Sequence, residues 1–212
     1  GISTLESNSV KVVFDQIEIS IEAEPRVEVG TEAPFEWTGH YLFDGDMFQG
    51  SISLNDTIVK ETVEKFYYQV GDVVDPLYKL NIHNSNVVPI IFDRILAEPR
   101  TETFIPGEVK VVVDLTYEYD GVPVDNAEVY INGVKANSIS LGRHELVLSS
   151  FEPSIQLDMT ITKPLFLSQV TEQTLFPVGN LISNVVTQIA VAAAIAAGYM
   201  VFRKRKKDQK MI

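Results

Sequence analysis

Few residues in this chain have the type and spacing to do chemistry. Asp44-Gly45-Asp46 sets two carboxylates two positions apart, the oxygen-rich arrangement that hard cations such as calcium seek. The related turn Asp120-Gly121-Val122 lacks the second acid. Both copies keep what a reverse turn needs, so turn chemistry is the expected role, with Asp44 and Asp46 the candidates for calcium. His40, His83 and His144 stand far apart, without the spacing of a zinc site. The sequence has no cysteine, which excludes disulfides, thiolate metal sites and a Cys nucleophile. It also has no nucleophile elbow, P-loop or dinucleotide fingerprint. No catalytic residue and no cofactor is expected, and the chain reads as a non-enzyme.

Two further sites concern contact rather than catalysis. Asn55-Asp56-Thr57 is the single N-x-[ST] sequon, so Asn55 is the glycosylation candidate, placed at an expected turn. Trp37, Tyr41, Phe43 and Phe48 would suit a sugar-stacking platform. The odd-numbered three follow one face of a strand, however, and core packing is the expected role. In Tyr67-Tyr68 one ring must point outward if the segment is a strand.

The element that positions everything else is Leu181 to Phe202, which carries no charged side chain. As a helix it is roughly 33 Å long, enough to cross a hydrocarbon core of about 30 Å. Arg203, Lys204, Arg205, Lys206 and Lys207 follow at once and form the topology anchor. Basic flanks stay on the cytoplasmic side, which places the preceding residues outside the cell. The chain holds 17 Lys+Arg against 29 Asp+Glu. The last ten residues contain six of the basic residues and one acid, leaving 11 basic and 28 acidic residues, a net of −17, in 1–202. Such an exterior is a poor partner for nucleic acid, and the expected partners are membrane lipid and other envelope proteins, including further copies of the chain. Along the span Ala190, Ala194 and Gly198 recur every fourth residue, candidates for close helix packing. An outside region needs an export signal, so Gly1 is expected to follow a cleaved leader or a longer upstream region.

The remainder alternates with period two. Ile17 to Ala23 and Phe35 to Phe43 read as half-buried strands, and Phe66–Val70, Tyr78–Ile82 and Val87–Phe92 as further short ones. Asp44-Gly45 and Asn132-Gly133 supply hairpin turns. Phe14-Asp15-Gln16-Ile17 returns as Phe92-Asp93-Arg94-Ile95, Glu24-Pro25-Arg26 as Glu98-Pro99-Arg100, and Tyr41-Leu42-Phe43-Asp44-Gly45 as Tyr117-Glu118-Tyr119-Asp120-Gly121. The offsets are 78, 74 and 76 residues, and matches in this order point to tandem copies of one unit.

These motifs, with Asp120 to Val124 and Ala127 to Gly133 foremost, resemble the tandem immunoglobulin-like repeats of archaeal cell-surface proteins. The resemblance covers roughly residues 10–165 and implies a surface-layer, stalk or adhesion role, with no catalytic residues. The expected fold is all-β: two tandem immunoglobulin-like β-sandwich domains plus one C-terminal transmembrane α-helix. Its divisions are a linker at 1–9, sandwiches at 10–90 and 91–163, a juxtamembrane stalk at 164–180, the span at 181–202 and a basic cytoplasmic tail at 203–212. The expected function is a membrane-anchored structural or adhesion protein. The alternative is an accessory or receptor subunit that binds an exported partner.

Overall fold

In a computed structural model, residues 12–102 and 105–208 are described, with side chains up to 195. The expected linker at 1–9 lies outside them. The chain divides into two compact units, Gly1–Arg94 and Ile95–Ile212. The boundary falls four residues after the expected 90/91 division because the strand at 88–93 pairs inside the first unit.

The first unit contains β1 (Ile17–Ala23), β2 (Arg26–Glu28), β3 (Phe35–Tyr41), β4 (Ser51–Leu54), β5 (Glu64–Tyr68), β6 (Val70–Val74), β7 (His83–Ser85) and β8 (Val88–Asp93). They form three small sheets, ordered β3-β1-β7, β2-β8-β5 and β4-β6. Alternation in β1 turns Ile17, Ile19 and Ile21 inward and the intervening Glu18 and Ser20 outward. The buried side chains fall into two clusters, one around Ile17, Ile19, Ile21, Tyr41 and Phe48, the other around Val27, Tyr68, Ile90 and Phe92. The buried Asp93 carboxylate pairs with Arg26, as a buried charge must.

The expected strand at Tyr78–Ile82 does not form. Asp75 sits just before it, almost fully buried, and its carboxylate accepts the backbone N–H groups of Leu77 (3.0 Å), Tyr78 (3.3 Å) and Leu80 (3.2 Å). Those donors are withdrawn from any ladder, and Lys79 takes a positive φ of 57°.

The second unit contains β9 (Ile95–Thr101), β10 (Gly107–Tyr117), β11 (Glu128–Ile131), β12 (Val134–Lys135), β13 (Asn137–Ser140), β14 (Arg143–Ser150), β15 (Ile155–Lys163), β16 (Phe166–Leu175) and α1 (Val178–Asp208). Two four-stranded antiparallel sheets, β13-β14-β10-β9 and β12-β11-β15-β16, bury one shared core. Val111, Val113 and Leu115 enter it from the first sheet, and Ile131, Met159 and Ile161 from the second. Asn132 and Gly133, at φ 50° and 76°, make the tight β11–β12 turn that their types favour.

The segment expected as a stalk at 164–180 is mostly strand. Pro164 does not end the sheet but turns it: Leu165 adopts φ 63°, Lys163 pairs with Phe166, and β16 runs back along β15 to Leu175. Phe166 is buried and Leu175 packs on the core, while the residues between them are largely exposed, as on an edge strand. The helix starts at Val178 rather than Leu181 and continues through Asp208, so the backbone of the basic run at 203–207 is helical.

The two units share a register. Strand β1 pairs with β3 so that Ile17 meets Tyr41 and Ala23 meets Phe35. Strand β9 pairs with β10 so that Ile95 meets Tyr117 and Thr101 meets Val111. These are the same partners displaced by the 78- and 76-residue offsets. The Glu-Pro-Arg match is not structural: Pro25 follows β1 in the break before β2, whereas Pro99 lies inside β9 opposite Val113.

Candidate functional site

The turn at Asp44 is built by local hydrogen bonds. Tyr41 N–H donates to Asp46 O, Gly45 N–H to Tyr41 O, and the Asp44 side chain accepts Asp46 N–H at 3.1 Å. Gly45 has φ 77°, a conformation that disfavours a Cβ. The second copy repeats each bond, with Gly121 N–H to Tyr117 O, Tyr117 N–H to Val122 O, and Asp120 accepting Val122 N–H at 3.2 Å. Asp44 and Asp46 are both exposed, and among the described residues no group of three or more His, Asp or Glu side chains gathers to hold a metal.

Asn55 is exposed just after β4, but its amide is engaged: it donates to Tyr67 O (3.2 Å) and accepts from Gln69 N–H (3.1 Å). A glycan there would sit on a nitrogen already holding two chain segments together. His40 is about half exposed beside Glu18, and His83 contacts the Asn81 and Val70 carbonyls. His144 is buried with Nδ1 unpartnered, and burial pushes its pKa below the ordinary histidine value. Thus the three histidines are held in separate environments.

The aromatic face divides. Tyr41 is core, as expected, and Phe48 joins it, but Trp37 (36% exposed) and Phe43 (57% exposed) are not buried. Phe43 lies beyond the end of β3, in the turn. Trp37 keeps its place on the inward face, yet among the described residues no strand bonds to the sheet edge beside it. With Ile21, Phe35, Ile52, Leu54 and Ile58 it lines an open groove of about 550 Å³. Of the adjacent tyrosines, Tyr68 is buried and Tyr67 points outward.

The Tyr41 hydroxyl donates to Asp75 at 2.9 Å. Burial, together with that bonded carboxylate, pushes the phenol up to about 12. Burial alone would raise Asp75, but the backbone donors of Leu77, Leu80 and Tyr78 and the tyrosine hydroxyl outweigh it, holding the acid below the usual carboxylate value. Tyr117 repeats the motif with Asp125 at 3.2 Å. There the carboxylate is half exposed and paired with Lys163, which lowers its pKa.

At the other end of the second unit, Asn180 in the first turn of α1 is 1% exposed. Its amide donates to the carbonyls of Ser150 and Glu152, each at 2.8 Å, and accepts the N–H of Gly107 at 3.2 Å. Asn184, one turn later, donates to Asn180 O at 2.9 Å. Only Phe176 and Pro177 separate β16 from α1, so the helix leaves the unit through a short, bonded joint. This is the one described helix long and apolar enough to cross a membrane, over Val178–Ile195. Ala190 and Ala194 are exposed on it, while the surroundings of Gly198 and the side chains of Arg203, Lys204, Arg205, Lys206 and Lys207 lie outside the described residues.

No protein-family model matches the chain, and no curated protein is significantly similar to it.

Proposed function

We propose that this chain is a membrane-anchored surface protein whose β-domains stand outside the cell as spacer and interaction modules. The observation that carries the reading is the joint at Asn180. An apolar helix tied by three hydrogen bonds to the unit before it transmits position and load, whereas a flexible tether would not. The basic run after the apolar stretch supports a single pass with the tail in the cytoplasm. The connectivity of the second unit supports the immunoglobulin-like reading, and with it the likeness to archaeal surface repeats. Taking β9 to β16 in order as A, B, C, C′, D, E, F and G, its sheets are A-B-E-D and C′-C-F-G.

Under this reading the chain is not an enzyme and binds neither nucleic acid nor an obligatory metal. A second reading, an accessory or receptor subunit of a membrane complex, is favoured by the open groove beside Trp37, which suits an exported protein partner. Protease treatment of intact cells tests the orientation. Digestion of the acidic region with the basic end protected is the expected result. Cleavage of the basic end with the acidic region intact would reverse the topology and end the surface reading.

A further inference from the structure

Strands β3 and β10 hold equivalent places in the two units, so their outer edges can be compared residue by residue. In β3 the even-numbered residues bond to β1, and the odd-numbered ones direct their N–H and C=O groups away from it, since Leu42 N–H reaches Gln16 O in that ladder. On the outward side Ala33 N–H donates to Ile58 O, Gly39 O accepts from Phe48 N–H, and Tyr41 N–H donates to Asp46 O. Between these points Phe35 and Trp37 have no backbone partner among the described residues. Their counterparts Val111 and Val113 are bonded along the same edge to Leu146 and His144 of β14 and are fully buried.

The gap lies beside a groove lined mainly by apolar residues, Ile21, Phe35, Trp37, Ile52, Leu54 and Ile58 among them, with Glu32 as the charged residue in its wall. Ile52 and Leu54 on its wall come from β4, which pairs with β6 and not with β3. An unsatisfied strand edge beside a mainly apolar trough is the arrangement by which sheets accept an added strand. The sister unit shows what fits the place: β14 lays Leu146 and Leu148 against the core and bonds to β10 through its backbone.

We propose that the β3 edge at Phe35 and Trp37 is a strand-acceptor site for a partner protein. The occupant is a short extended segment with apolar side chains at alternate positions, added antiparallel to β3. Four backbone hydrogen bonds, two each from Phe35 and Trp37, fix it, and its alternate side chains fill the groove. This deepens the interaction side of the proposed function and rests on that reading. The assay needs no membrane orientation, so its failure and a failed topology test are distinguishable.

The test uses the full chain in lipid nanodiscs and phage-displayed random octapeptides as the probe. Peptides with apolar residues at every second position should be enriched. Their binding should shift the emission of Trp37, the single tryptophan, to shorter wavelength and protect the Phe35 and Trp37 amides from exchange. Trp37→Pro removes one outward N–H while leaving the β1 ladder intact, and should weaken binding about tenfold or more. Trp37→Val, which copies the residue in β10, should retain binding, and circular dichroism establishes that both variants are folded. The proposal is overturned if no alternating sequence is enriched, or if the selected peptides bind Trp37→Pro as well as the parent. Occupation of the groove by a second copy of the chain, seen as a dimer that Trp37→Pro abolishes, would equally overturn a partner-protein site.

Discussion

The second unit bonds its central strand β10 on both edges and gathers fifteen of its described residues into one buried core. Among its described residues the first unit bonds the equivalent strand β3 fully on one edge only and divides its buried residues between two clusters. Polar chemistry follows the same division. Asp114 of β10 pairs with Arg100 of β9 and Arg143 of β14, tying three strands together, while the corresponding position in β3 is Thr38. Tyr41 delivers its hydroxyl to a buried aspartate that also organises a loop, whereas Tyr117 delivers its own to an exposed aspartate with a lysine partner. One strand pair can therefore be kept in register while the rest of the unit is specialised. The second unit becomes a closed platform for the helix, and the first leaves an edge available.

The largest effect that would break this comparison is expected at Asp75. Asp75→Ala leaves the Tyr41 hydroxyl and three backbone N–H groups without their acceptor, and should cost the first unit about 3 kcal/mol or more. Urea unfolding followed by Trp37 fluorescence reads that unit alone. An unchanged midpoint would mean that the buried carboxylate is not what holds the loop.

Next is Asn180→Ala, which strands two carbonyls and the Gly107 N–H at the joint. The expected cost is about 2 kcal/mol of local stability. Faster exchange at Gly107 and greater motion between spin labels on β16 and α1 are the readouts, with the Trp37 transition unmoved.

A pH series should separate the units. Both His144 and Asp75 have folded pKa values below their ordinary ones, so the unfolded chain binds more protons and stability falls on acidification. The His144 contribution is complete above about pH 6.5 and is lost as pH falls through the lower folded value; that of Asp75 is complete above about 3.9 and is lost below it. Between pH 7 and 5 the second unit should therefore weaken while the Asp75 contribution to the first holds. His144→Leu should remove that slope in calorimetry.

The smallest expected effect is Asp125→Ala. Its Lys163 pair is half exposed, and the cost should be about 0.5 kcal/mol. A loss as large as that of Asp75→Ala would erase the difference between the two tyrosine–aspartate pairs.

Strand period and turn chemistry made much of this architecture readable. Ile17, Ile19 and Ile21 alternate as a half-buried strand must, and Asp44-Gly45, Asp120-Gly121 and Asn132-Gly133 turn where their backbone freedom permits. The apolar stretch and its basic flank marked the helix. What stayed hidden depends on side chains acting at a distance. Tyr78 to Ile82 alternates like a strand but is captured by Asp75. Residues 166–175 have little apolar alternation because an edge strand needs only Phe166 and Leu175 to hold it. Asn180 reads as one more polar residue near a membrane surface until the carbonyls of Ser150 and Glu152 are seen above it. Trp37 follows the period of a core residue, and its exposure reflects a β3 edge to which no described strand bonds, where β10 has β14, a property of the chain path rather than of β3.

The most direct measurement is backbone amide exchange of the unliganded chain, read at four positions. Phe35 and Trp37 should exchange at least about a hundredfold faster than Val111 and Val113, the ratio expected when hydrogen bonds within a stable sheet are compared with an unbonded edge. Equal protection of all four amides would mean that β3 is closed like β10, and the contrast between an open and a closed unit would fall.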